Sequence, residues 1–382
     1  VHIRSEKRFW SALALAFAIT ALLAPASQAA TRKPFPAGLS ARAFSAPNPL
    51  AATASAEPET PASTPVEGDE YRPYSAGGYS VEAASTAYGE AEVQSVVDVL
   101  GSLDHGPELA RLSVYVATPE EIAQLCGATV LACYMPQPER MIISGEDHPV
   151  DGVPRDFAIA HEYGHHIANS QSGASFPAIS TGTIRWATYE RVCQYSRARK
   201  LFPGDQGRHY FEDPEEAFAE TYAHLSDPSA KVSWQYSPLL RPTAASLEKI
   251  RADVSRPWSG PVSTAWRDSV EAKPAGRPAP VAHSSGGPSV GEAELVGEPW
   301  TASRLVSTPL DGTVSVSLVA PAGAVYAVVL RDPDSGRILA RKVTDEAGSA
   351  DLAFGNCGHQ ALRLEVSSVR GSGPFTANIV RP

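Results

Sequence analysis

The chain has 382 residues, 33 prolines, 29 glycines and a formal net charge of -10, a length above that of one compact domain and a composition that points to folded pieces joined by linkers. The acidic balance, with no clustered basic surface, argues against nucleic acid as a partner. Beyond the N-terminal segment, no apolar run is long enough to span a bilayer.

At the N-terminus, Arg4, Lys7 and Arg8 precede an apolar run from Phe9 to Ala24 and the small residues Ser27, Ala29 and Ala30, the pattern of a cleaved secretion signal over 1–29. Its removal takes away three basic and one acidic side chain and leaves a charge of -12 on a secreted, extracellular protein. From 30 to 70 the composition narrows to Ala, Pro, Ser and Thr, too few large apolar residues to offset the entropy of ordering, so a disordered linker or pro-segment is expected.

A mixed pattern follows over 71–258. "EAEVQSVVDVLGSL" (90–103) has helical spacing and "RLSVYVA" (111–117) alternates like a strand. "TPEEIAQL" carries the marks of a capped helix start, Thr118 capping and Glu121 completing a capping box. "RMIISG" (140–145) reads as a short strand, and a helix is expected from near Pro154 to before Gly173. The fold class expected for this domain is α+β. A second Pro/Gly/Ser-rich stretch makes 259–292 a linker, and 293–382 then alternates in five runs: 313–319, 324–330, 337–343, 361–369 and 375–380. Separated by turn signals, they predict an antiparallel β-sandwich. The acids of "DPDSG" (332–336) are accounted for by a hairpin turn without a calcium ion.

Four cysteines in an exported chain permit two disulfides. Cys126 and Cys133 flank a short segment that closes easily if the chain reverses, which leaves Cys193 for Cys357; the alternative for that second pair is two buried free thiols.

The chemistry concentrates in "AIAHEYGHHIANS" (158–170). Four residues along a helix advance about 6 Å and return to within about 40° of the same face, so His161 and His165 can present two imidazoles to one ion. Glu162 stands beside that ion without binding it. Two neutral imidazoles suit Zn2+, one per chain, and the glutamate takes a proton from a water that the metal acidifies. His166 points about 100° away from His165 and is expected at the surface or in a supporting role. Gly164 costs about 1 kcal/mol of helicity relative to Ala, which something packed close to it would explain.

A zinc hydrolase needs a third protein ligand and an open position. The extended pattern HExxHxxGxxH fails at Ala168 and Gln171, and a GTxxD pattern fails at Trp186. Downstream, "HYFEDPEEAFAETYAH" (209–224) offers Glu216 and Glu220 on one helical face. Asp213 and Glu216 also read as a capping box, which would leave Glu220 as the ligand.

HEYGH followed by EEAFAE resembles the gluzincin metallopeptidases, and "EAFAETY" is similar to the anthrax lethal factor type, over roughly residues 110–225. The resemblance implies a zincin-like fold with Glu216 as third ligand and Glu220 holding the far nitrogen of a histidine ligand. It also implies a side chain that stabilises the oxyanion, for which Tyr210 is the candidate with His209 and His224 behind it. A peptide substrate would pair with an edge strand before the histidine helix, where "RMIIS" stands. The reading is a secreted zinc-dependent endopeptidase. The alternative is a non-catalytic, metal-stabilised secreted protein whose sandwich attaches to cell wall, polysaccharide or another protein.

Overall fold

The structure, a computed structural model, describes residues 70–127, 130–146, 152–173, 176–273 and 300–382. The expected signal segment 1–29, all but the last residue of segment 30–70, and most of the expected linker 259–292 lie outside the described residues. Among those described, no helix is long and apolar enough to cross a membrane.

The first half is α+β. Its strands are β1 (Arg72–Ala76), β2 (Tyr79–Ala84), β3 (Ser113–Ala117), β4 (Cys133–Pro136) and β5 (Glu139–Ser144), in the sheet order β1-β2-β3-β5-β4. The pairs β2–β3 and β3–β5 are parallel, whereas β1 and β4 run antiparallel to their neighbours at the two edges. One face of the sheet is covered by α1 (Glu90–Ser102), whose Val93, Val96, Val97 and Leu100 are the helically spaced valines and leucine that are buried. The other carries α2 (Pro119–Leu125), with the capping box between Thr118 and Glu121 formed and Ile122 packed on Tyr115 and Ile142. The Cys126–Cys133 disulfide ties the end of α2 to β4.

"RMIIS" is the core of β5, and β5 lies between β3 and β4. The edge strand beside the histidine helix is therefore β4, a correction to the expected substrate strand. Its four residues follow a cysteine loop and precede a proline turn, so they carry little alternation to read.

Helix α3 (Arg155–Ser170) carries the histidines and is buried over most of its length. After the short helices α4 (Ala178–Thr181), α5 (Ile184–Glu190) and α6 (Val192–Arg197), the chain turns into α7 (Pro214–Ser226), which packs along α3, and then α8 (Ala244–Ser255). The close approach of α3 and α7 depends on Gly164: a Cβ there would stand 2.8 Å from the Ala219 Cα.

The second half is an antiparallel sandwich of β6 (Val262–Val270), β7 (Thr301–Ser307), β8 (Gly312–Val319), β9 (Val325–Arg331), β10 (Ile338–Val343), β11 (Ser349–Asn356), β12 (Ala361–Arg370) and β13 (Gly373–Arg381). Its sheets, ordered β10-β9-β12-β7 and β11-β8-β13-β6, share one apolar core built from Val314, Val316 and Ile379 of one sheet and Tyr326, Leu330 and Leu364 of the other. β6 corrects the expected boundary. It comes from the segment expected as linker and pairs with β13 along its whole length.

The halves are joined beyond the chain connection. Cys193 of α6 is bonded to Cys357, the Arg197 guanidinium donates to the Gly355 carbonyl at 2.7 Å, and the Asp311 N–H donates to Thr188 Oγ1 at 3.0 Å. Leu310 packs against the core of the first half.

Candidate metal centre

Two helices build the site. On α3, His161 and His165 stand one turn apart with ring centroids 5.0 Å from each other. Facing them, α7 begins where Pro214 fills its first turn and Asp213 accepts the Glu215 N–H at 3.0 Å. Asp213 gives its own N–H to the Tyr210 carbonyl, so the second arm of a capping box has no donor to reach. Glu216 instead turns to the histidines. Its Oε2 lies 3.3 Å from His161 Nε2 and its Oε1 3.7 Å from His165 Nε2. One ligand atom from each of His161, His165 and Glu216 falls within 4.8 Å of the others, a group that can hold a metal ion.

Around this triad the supports divide by residue. One turn beyond Glu216, Glu220 Oε2 is 3.3 Å from His161 Nδ1. His165 Nδ1 is buried without a hydrogen bond, and the nearest acid is Glu215, at 3.6 Å. Glu216 itself accepts from Gln206 Nε2 at 3.1 Å and from the Tyr210 hydroxyl at 2.8 Å. Buried polar groups without partners are costly, and an ion between the two imidazoles and Glu216 would satisfy nitrogens that the protein leaves loosely paired. The donor set of two imidazoles and one carboxylate fits zinc.

Burial and charge set the protonation of the metal-free site. Burial works against a charged His161, but hydrogen bonds with Glu216 and Glu220 overcome it and raise its pKa to about 10. His165 has no such partner, and burial lowers it to about 4. Burial would raise Glu216, yet His165, His161 and Tyr210 hold it down at about 2. Glu162 is 8% exposed. Burial and, behind it, the charge of Glu216 push its carboxyl up to about 7, against the pull of His161 and of the Tyr134 backbone N–H that it accepts.

The remaining expected residues separate. Tyr210 reaches the cluster. His209 stacks on Phe202 at 3.7 Å between centroids and faces Glu212, and His224 lies against Phe157 and the far side of Glu220, so these two lesser candidates for the oxyanion role face other acids than Glu216. His166 is fully buried rather than at the surface. Its Nε2 donates to the Glu108 carbonyl at 2.9 Å, which leaves Nδ1 to accept from the Tyr134 hydroxyl at 3.1 Å.

Three contributors escaped the sequence reading. Glu215 was in view beside Glu216 but had no spacing to a histidine. Gln206 sits in a loop. Tyr236 brings its hydroxyl to 3.4 Å from that of Tyr210 and 3.5 Å from Glu216 Oε2, yet in "WQYSP" no periodicity connects it to either helix.

No known family model and no curated protein matches the chain. Among solved structures, the Yersinia pseudotuberculosis-derived mitogen aligns over 32% of this chain and 87% of its own, at 7% identity and a TM-score of 0.22, too weak a likeness to carry an argument.

Proposed function

We propose that the protein is a secreted zinc-dependent endopeptidase with a zincin-like catalytic domain, in which His161, His165 and Glu216 hold the metal. The observation that carries this reading is the convergence of those three side chains around one point with Glu162 buried beside them. A purely structural zinc closes its coordination with four protein ligands and has no use for a neighbouring acid. A zinc ion in this site would supply Lewis acidity and bring the ionisation of water to about pH 7.

The chain's own residues take the other roles. Glu162, raised to about 7, accepts a proton at its carboxylate near neutral pH and returns it to the leaving amine. The Tyr210 hydroxyl, 2.8 Å from Glu216, is placed to donate to an oxygen that develops charge beside the metal. β4 is the sheet edge on the side of α3 and, apart from the Tyr134 N–H that Glu162 accepts, supports main-chain pairing with an extended peptide. Two disulfides suit an oxidising compartment.

The test is zinc content measured together with cleavage of an unstructured protein such as casein. His161→Ala and His165→Ala should lose both. Glu162→Gln should keep the zinc and lose about 10²- to 10⁴-fold in kcat. Full cleavage by Glu162→Gln would overturn the mechanism, and a zinc-loaded wild type that cleaves nothing would leave the metal a structural role.

A further inference from the structure

The Tyr236 ring stands against Tyr210 at 5.9 Å between centroids, and Trp234 stands edge-on to Tyr236 at 5.6 Å. The loop that carries Tyr236 is fastened to the turn that carries Tyr210. The Ser237 N–H donates to the Phe211 carbonyl at 2.7 Å, and the Trp234 indole donates to the Ser237 carbonyl at 3.2 Å. The two phenols are thus held by adjacent backbone, and their oxygens meet at 3.4 Å beside one carboxylate oxygen, Glu216 Oε2.

Proton direction follows from the donor inventory. An ionised carboxylate only accepts, so at 2.8 Å the single hydroxyl proton of Tyr210 belongs to Glu216. The Tyr210 oxygen is then left with lone pairs only, and Tyr236 is the donor between the two phenols. A hydroxyl that accepts one hydrogen bond is a stronger donor of the next.

We propose that Tyr236 is a positioning residue: its hydroxyl donates to Tyr210 and holds the Tyr210 O–H, which gives its one proton to Glu216 in the metal-free site and would turn it to an oxyanion once that carboxylate is engaged by a metal. This rests on the metal-site reading above. A residue that merely packs the loop would act through its ring alone, and Tyr236→Phe keeps the ring.

The test uses the full, zinc-loaded chain as wild type, Tyr210→Phe, Tyr236→Phe and the double variant. Zinc affinity is read by chelator competition, acetohydroxamate binding by calorimetry, and casein cleavage by initial rates. Zinc affinity should fall by up to about 10-fold in Tyr210→Phe, which takes a hydrogen bond from the ligand Glu216, and by less in Tyr236→Phe, so acetohydroxamate binding is read at saturating zinc. Acetohydroxamate, a small metal-seeking oxyanion, should bind about 10-fold more weakly to Tyr210→Phe and about 5-fold more weakly to Tyr236→Phe. The double variant should lose no more than Tyr210→Phe alone, because groups acting in series are not additive. In casein cleavage kcat should fall while KM holds.

Either single variant binding acetohydroxamate as the wild type does, or losses that simply add in the double variant, would overturn the proposal. Phenol coupling toward acetohydroxamate without any casein cleavage would refute the endopeptidase reading and leave the pairing in place. A wild type that takes up no zinc would remove both.

Discussion

Gly164 and Ala219 bring the two site helices together backbone to backbone: an added Cβ on the glycine would meet the Ala219 Cα at 2.8 Å. In an isolated helix Gly→Ala gains about 1 kcal/mol. Here the atom in the way is main chain, which can yield only by moving α7. Gly164→Ala should therefore lower stability by about 1–3 kcal/mol and weaken zinc binding, since Glu216 moves with its helix. Thermal unfolding with zinc titration checks this. A variant with a higher Tm and unchanged zinc affinity would show that the contact does not set the ligand spacing.

The acids of α7 should respond in a fixed order. Glu216→Ala should abolish tight zinc binding. Glu220→Ala, which takes from His161 Nδ1 its partner at 3.3 Å, should cost about 10- to 100-fold in metal affinity and leave a detectable site. Glu215→Ala, whose contact with His165 is the longer 3.6 Å, should cost less than Glu220→Ala. Titrations under identical conditions rank the three. Wild-type zinc affinity in Glu216→Ala would move the ligand to Glu220.

Metal uptake should release protons that can be assigned. At pH 8, Glu216 and His165, held near 2 and 4, are already deprotonated, and Glu162, near 7, is mostly so. His161, near 10, still carries its proton and must lose it to become a ligand. Calorimetry at pH 8 in buffers of different ionisation enthalpy should give close to two protons released per zinc, one from His161 and most of one from the water that the metal would acidify, falling toward one above pH 10. The linked effect on the metal-free protein has a definite sign. Because His161 is raised in the folded state, its stabilising contribution is complete below about pH 6.5 and lost as pH rises through about 10. Release of no more than about one proton at pH 8 would mean that His161 is neutral before the metal arrives.

The bond between Cys193 and Cys357 lies outside the metal site, so its removal should separate stability from chemistry. Replacing both cysteines by serine should cost about 2–5 kcal/mol of unfolding free energy and leave zinc affinity within about two-fold. Denaturant melts and chelator competition on the same preparations decide it. A large loss of zinc affinity would mean that the sandwich helps to hold α7 in place.

Which parts were legible depends on how many faces an element buries. The histidine helix, the Thr118 capping box and the α7 acids announced themselves because helical spacing and capping chemistry are local. Of the four edge strands of the sandwich, β6, β7 and β11 were missed from sequence, and β10 was read from the run 337–343. β6 buries only Trp266 and Val270 of its nine residues, and such a strand carries little of the alternation that marked β8, β9, β12 and β13. Among site residues, Glu216 was exposed by motif, but the reason it is free to face the histidines was not. That reason is the Asp213 N–H already committed to Tyr210, a main-chain bond that no side-chain pattern records. Tyr236 was hidden for the opposite cause, since its place is set by loop contacts rather than by any repeat.

β6 precedes the segment 274–299 and completes a sheet whose other strands follow it, while the Cys193–Cys357 bond spans the same segment across 164 residues. A single protease cut within 274–299 would thus yield two chains and one particle. The upstream piece would keep its last strand zipped to β13 and its α6 cysteine bonded to the downstream piece. On a denaturing gel the nicked protein would run as one band until a reductant is added, and without denaturant it would stay together even then.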